Sequence, residues 1–187
     1  MRGIQKEFGE QVELEWRSFL LRPYPSEKRD LEKFRRYTQS WLRPGSEQDG
    51  GSFRVWEGDA SPPTHSMPPH LLAKAAASIS DEAFERVHEQ LLHAYFAESR
   101  DVSDPATLRA IWETAGLDPA EFERANDPAL LRQVAEEHRA AIEAGVTGVP
   151  AVQLEGQDVV ITGAHPRELY QRWARRALEG ATHAERS

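Results

Sequence analysis

Along this chain the clearest periodic signal near the start is Val12-Glu13-Leu14-Glu15-Trp16-Arg17, where apolar and charged side chains alternate. A period of two buries one face of an extended segment, so a strand is expected from Val12 to Phe19. The nine residues before it read as the tail of a helix with Gly9 as its stop. Pro23 and Pro25 end the strand, and Ser26 is the expected cap of a helix from Glu27 to Leu42 carrying Leu31, Phe34, Trp41 and Leu42. Pro44 closes that helix, and the polar, glycine-containing stretch Gly45–Ser52 reads as a loop.

The period then changes to that of helices. Ser66 is placed to cap a helix whose first turn tolerates Pro68 and Pro69, because the first amides of a helix lack intrahelical partners. From Asp81 to about Ser99, Phe84, Val87, Leu91, Leu92 and Tyr95 recur on one helical face. Three Asp-Pro pairs follow, Asp104-Pro105, Asp118-Pro119 and Asp127-Pro128, each setting an N-cap before a proline at the first helical position. Asp118 with Glu121 has the spacing of a capping box, and Gly116 ends the helix before it. The third of these helices places Leu131, Val134, Ala135, His138, Ala141 and Ile142 on a common face.

Glycine and proline punctuate the next stretch, Gly145-Val146-Thr147-Gly148-Val149-Pro150. Two short apolar runs, Ala151–Leu154 and Val159–Ile161, flank Glu155-Gly156-Gln157-Asp158 and predict a hairpin. Pro166 opens a last helix with Leu169, Trp173 and Ala177 on one face and Gly180 as its end. This divides the chain into 1–60 together with 145–180, an inserted helical segment 61–144, and a flexible tail 181–187.

Composition narrows the chemistry. The 187 residues carry 31 Asp and Glu against 23 Lys and Arg, a formal charge of −8, and no cysteine. A net negative chain repels nucleic acid phosphates unless it concentrates a basic face. The clusters Lys33-Arg35-Arg36 and Arg172-Arg175-Arg176 sit at helical spacing and read as solvated faces, so nucleic acid is not an expected partner. No apolar run reaches the roughly 20 residues that cross a bilayer, and no apolar leader opens the chain; no membrane partner and a cytoplasmic location are expected. Zero cysteines remove disulfides, thiolate metal sites and a thiol nucleophile from this chain. His65 with His70, and His88 with His93, lack the further ligands a metal needs. His138, on an apolar face, reads as a packed histidine with a satisfied ring nitrogen. No P-loop, dinucleotide fingerprint or Ser-His-Asp order is present, and no cofactor is expected.

The segment Thr147-Gly148-Val149-Pro150, the apolar strand after it, the Glu155-Gly156 turn, Val160-Ile161-Thr162-Gly163-Ala164 and the final helix resemble the C-terminal half of the DsbA/FrnE-like family of thioredoxin-fold oxidoreductases. Val12–Phe19 resembles its second strand, and His93–Phe96 through Arg100–Pro105 its helical insertion. The resemblance implies an α/β, thioredoxin-like fold with a large helical insertion. It also implies a thiol–disulfide oxidoreductase family, and an extended peptide or a small thiol as substrate. It further implies that Pro150 follows a cis bond and that Thr147, Gly148, Val149 and Pro150 face the substrate; spacing alone leaves the isomer open.

Family members open with a strand and a Cys-X-X-Cys at a helix start, where the helix terminus stabilises a thiolate. Residues 1–9 match only the end of that helix, so the expectation is a chain missing the first central strand, the alternative being a self-sufficient cysteine-less form. No catalytic residue is assigned. Besides a catalytically incomplete oxidoreductase, two readings stay open: a non-redox substrate-binding or chaperone-like module, and a glutathione-dependent isomerase of the 2-hydroxychromene-2-carboxylate isomerase type.

Overall fold

A computed structural model describes residues 1–26, 29–46 and 51–184. Contacts divide the chain into two compact units, residues 20–138 and residues 1–19 with 139–187.

The 20–138 unit is helical. Its first helix, α2 (Leu31–Thr38), is capped by Asp30, whose carboxylate accepts from the Lys33 amide at 3.0 Å. Ser26 does not cap it: its hydroxyl donates instead to the Thr64 carbonyl at 3.1 Å. Asp30 competes better, since a carboxylate accepts more strongly than a hydroxyl at a helix N-terminus. The expected start at Glu27 lies outside the described residues. The helix is also broken at its far end, passing through a 3-10 turn (Gln39–Trp41) into the short α3 (Leu42–Gly45).

Ser66 likewise makes no side-chain cap for α4 (Met67–Ala77), because its hydroxyl accepts from the Arg22 amide at 3.1 Å. Ser80 caps α5 (Asp81–Phe96), and Asp104 caps α6 (Pro105–Thr114) through the Thr107 amide at 2.8 Å. Asp118 accepts from Ala120 at 2.9 Å, but the element it opens, Pro119–Asn126, is a 3-10 helix. Glu121 turns to Arg124, leaving the expected capping box unmade. Asp127 precedes α7 (Pro128–Glu143) and accepts from Ala129 at 2.8 Å.

The main core of this unit comes from α4, α5 and α6: Leu72, Ala75, Val87, Leu91, Leu108, Ile111 and Trp112 are buried together. The Trp112 indole N–H reaches the Asp118 carbonyl at 2.8 Å, which satisfies the one polar group of that ring. The buried face of α5 runs through Ala83, Val87, Leu91 and Ala94, so Leu92, expected inside, is exposed. A second core joins Phe34, Trp41 and Trp56 with Phe53, Tyr95 and Phe96 against it. There the Thr38 hydroxyl, fully buried, accepts from the Trp56 amide at 2.9 Å. On α7 the buried position is Val134, while Leu131 stays 46 % exposed and Ile142 54 %. Glu137, on the same helix, forms a largely buried ion pair with Lys74 at 2.6 Å.

The smaller unit contains α1 (Arg2–Phe8), which stops at Gly9 with φ of +55°, and α8 (Arg167–Ala184). Gly180 does not end α8. A mid-helix glycine costs only about 1 kcal/mol relative to alanine, too little to stop a helix flanked by Ala181 and Ala184. Between these helices lies the hairpin β1 (Ala151–Gln153) and β2 (Val160–Thr162), paired Ala151 to Thr162 and Gln153 to Val160. Among the described residues this is the whole sheet. The alternation at 12–15 appears in the burial, with Val12 and Leu14 half-buried between exposed Glu13 and Glu15, yet residues 12–20 form no regular strand. A period of two specifies an extended chain, and a strand needs a hydrogen-bonded neighbour as well.

Candidate functional site

Helix α7 ends where Gly145 takes a φ of +83°. The Val146 amide donates to the Ala141 carbonyl and the Gly145 amide to Ile142, both at 2.9 Å. These are the two bonds of a Schellman motif, which requires a left-handed residue that glycine adopts without a Cβ clash. The chain leaves this stop as Thr147-Gly148-Val149-Pro150, with Val149–Pro150 cis. Thr147, Val149 and Pro150 are exposed, Val149 by 52 %, and Gly148 is half-buried. Among the described residues, the amides and carbonyls of Thr147, Gly148 and Val149 make no hydrogen bond.

Pro150 is held from behind. Its carbonyl accepts from the Gly163 amide at 2.8 Å, and the Gly163 carbonyl accepts from the Tyr170 hydroxyl at 3.1 Å. Tyr170 is buried on α8, and burial raises the pKa of its phenol, so it remains a donor at neutral pH. His165 donates from Nε2 to the Thr162 carbonyl at 3.1 Å. Gly163 itself has a φ of +99°, outside the range of ordinary L residues. Tyr170 and His165 did not stand out in the sequence, where Tyr170 is only one apolar position of an amphipathic helix.

The Gly163–Pro150 bond also fixes the polarity of β1. In an antiparallel pair, bonded and non-bonded positions alternate. With 150 and 163 bonded, 152 and 161 form the next bonded pair, and the backbone groups of Ala151 and Gln153 point away from β2. The unbonded groups at 147–149 therefore continue into an open edge of β1 among the described residues.

The family model for the DSBA-like thioredoxin domain matches residues 1–172. The chain belongs to that family. A protein called YwbO from Bacillus subtilis (strain 168), itself uncharacterized, is 28 % identical over 173 residues, covering 88 % of this chain and 82 % of YwbO. Among solved structures, the cytosolic disulfide reductase DsbM from Pseudomonas aeruginosa superposes with a TM-score of 0.69 at 17 % identity, over 98 % of this chain and 90 % of DsbM. This likeness establishes the thioredoxin-like fold, mostly helical here with its small two-stranded sheet. The DsbA-like family is one of thiol–disulfide oxidoreductases, and the present member has no cysteine in its 187 residues.

His65 Nδ1 meets the Thr64 hydroxyl at 2.9 Å, His93 Nδ1 lies 3.3 Å from Glu98, and the His88 ring stacks on Phe84. Among the described residues no group of three His, Asp or Glu side chains is arranged to hold a metal, and no helix is long and apolar enough to cross a membrane.

Proposed function

We propose that this DsbA-like chain holds an extended polypeptide segment along Thr147–Gln153 and exchanges no disulfide with it. The reading is supported by the run of unbonded backbone groups at Thr147, Gly148, Val149, Ala151 and Gln153. An extended chain offers its own amides and carbonyls at about 3.3 Å per residue, the spacing such an edge needs. A small thiol covers only one or two of these groups, which favours the peptide. Disulfide exchange requires an attacking thiolate, and these residues supply none. The cytoplasm is the compartment we propose, in keeping with a structural neighbour described as cytosolic.

The test is a titration of a labelled, reduced and unfolded polypeptide against the wild type and two variants. The Gln153 amide points away from β2, so Gln153→Pro removes an outward donor and spares the ladder. That variant is expected to keep its fold by circular dichroism and lose most of its binding. Val149→Asp, at the exposed tip, is expected to weaken binding as well. Equal affinity in all three proteins would overturn the site, and insulin disulfide reduction above background would overturn its non-redox character.

A further inference from the structure

We infer that the open edge of β1 selects among polypeptides by side chain, preferring a β-branched apolar residue at the position opposite Val152. This rests on the reading of Thr147–Gln153 as a site for an extended polypeptide and adds what that polypeptide carries. Side chains alternate between the two faces of a strand, and residues paired across a ladder share a face. Val152 is paired with Ile161, so the two stand side by side on one face of the hairpin. Ala151 with Thr162, and Gln153 with Val160, stand on the other.

The two faces differ in chemistry. Val152 and Ile161 are both β-branched and half-buried, so each keeps some apolar surface in water. On the opposite face Gln153 and Thr162 are polar and exposed, and the Gln153 side-chain amide donates to the Gln157 carbonyl at 2.6 Å. That bond ties the Gln153 side chain to its own hairpin. A strand laid along the unbonded backbone groups of Ala151 and Gln153 sets one side chain beside Val152, extending the Val152–Ile161 row to a third member. A β-branched apolar side chain there fits the pleated row and covers surface that Val152 leaves in water. A polar side chain of the same shape gives up hydration and gains no hydrogen bond from Val152 or Ile161.

Two short, blocked and labelled peptides test the preference: Gln-Thr-Gln-Val-Gln-Thr-Gln and its counterpart with Thr at the centre. They carry no cysteine and differ only by a methyl group in place of a hydroxyl. Titrated against the full chain, the Val-centred peptide is expected to bind about fivefold more tightly. Val152→Thr keeps the backbone edge and the side-chain shape, and is expected to bring the two affinities within about twofold. Thr162→Val alters the opposite face and is expected to keep the preference. Equal affinities in the wild type would overturn the inference and leave the polypeptide edge standing. A full preference surviving in Val152→Thr, or lost in Thr162→Val, would do the same. Binding of neither peptide, or binding unchanged by Gln153→Pro, would overturn the edge itself and this inference with it.

Discussion

The Leu20 amide donates to Nδ1 of His138 across 3.1 Å, joining two positions 118 residues apart. These are the first and last residues of the 20–138 unit, so the bond ties its ends together. Because Nδ1 accepts, the proton of the neutral ring sits on Nε2. Leu20 is buried, with 3 % of its surface exposed, and an orphaned amide there is costly. His138→Phe is expected to destabilise the protein by about 1–3 kcal/mol, read as a lower urea midpoint. A midpoint equal to the wild type would show that water replaces the imidazole.

Tyr170→Phe tests the support behind the proline loop. It removes one hydroxyl from the Gly163 carbonyl and leaves the ring packed, so the loss of stability is about 0.5–1.5 kcal/mol. The polypeptide titration separates structure from positioning. If Tyr170 steadies Pro150 through Gly163, affinity falls in Tyr170→Phe while the secondary structure is unchanged.

How far the sequence revealed this arrangement depends on how local each signal is. The Asp-Pro caps, Gly9 and the hairpin are local: Asp104 and Asp127 appear where the pattern puts them, and the hairpin forms within one residue of its expected bounds, at Ala151–Gln153 and Val160–Thr162. Ser26 and Ser66 were legible as caps only in isolation; each hydrogen-bonds across the 22–26 and 64–66 pairing, a relation between segments about 40 residues apart. The strand at 12–19 needed a partner that periodicity does not report. In the candidate site, Thr147–Pro150 was legible through its resemblance to a family. Tyr170 was not, because a tyrosine on an amphipathic helix gives no sign of which carbonyl its hydroxyl will find.

Glu7 sits at the junction of α1 and α8, accepting from Gln171 and from Arg175 Nη2 at 2.9 Å, with Arg167 at 3.7 Å. The Gln171 bond first, and then the arginines, hold its carboxyl below the ordinary value of 4.5. A depressed carboxylate contributes stability above its unfolded pKa and loses it as pH falls through the folded one. Glu7→Gln is therefore expected to lower the urea midpoint at pH 7, with the deficit shrinking below about pH 4.5. Since these side chains are partly exposed, added salt should shrink the deficit too. A pH-independent deficit would assign the effect to packing.

His70 sets a second acid window. It lies on α4 with Lys74, Glu137 and His138 as its charged or titratable neighbours, and its pKa is lowered from 6.5 to about 4. Burial is the main cause; Glu137 opposes it, and Lys74 and His138 add to it. Between those two values the unfolded chain binds a proton that the folded chain refuses, so stability falls as pH drops from about 6.5 to about 4. One pKa unit corresponds to about 1.4 kcal/mol, which makes this window worth roughly 2–4 kcal/mol. His70→Leu removes the titrating ring and keeps an apolar side chain in its place. Urea unfolding at pH 7 and pH 4.5 is expected to show a drop in wild type that is mostly absent in His70→Leu. Parallel drops in the two proteins would place the acid sensitivity in groups other than His70.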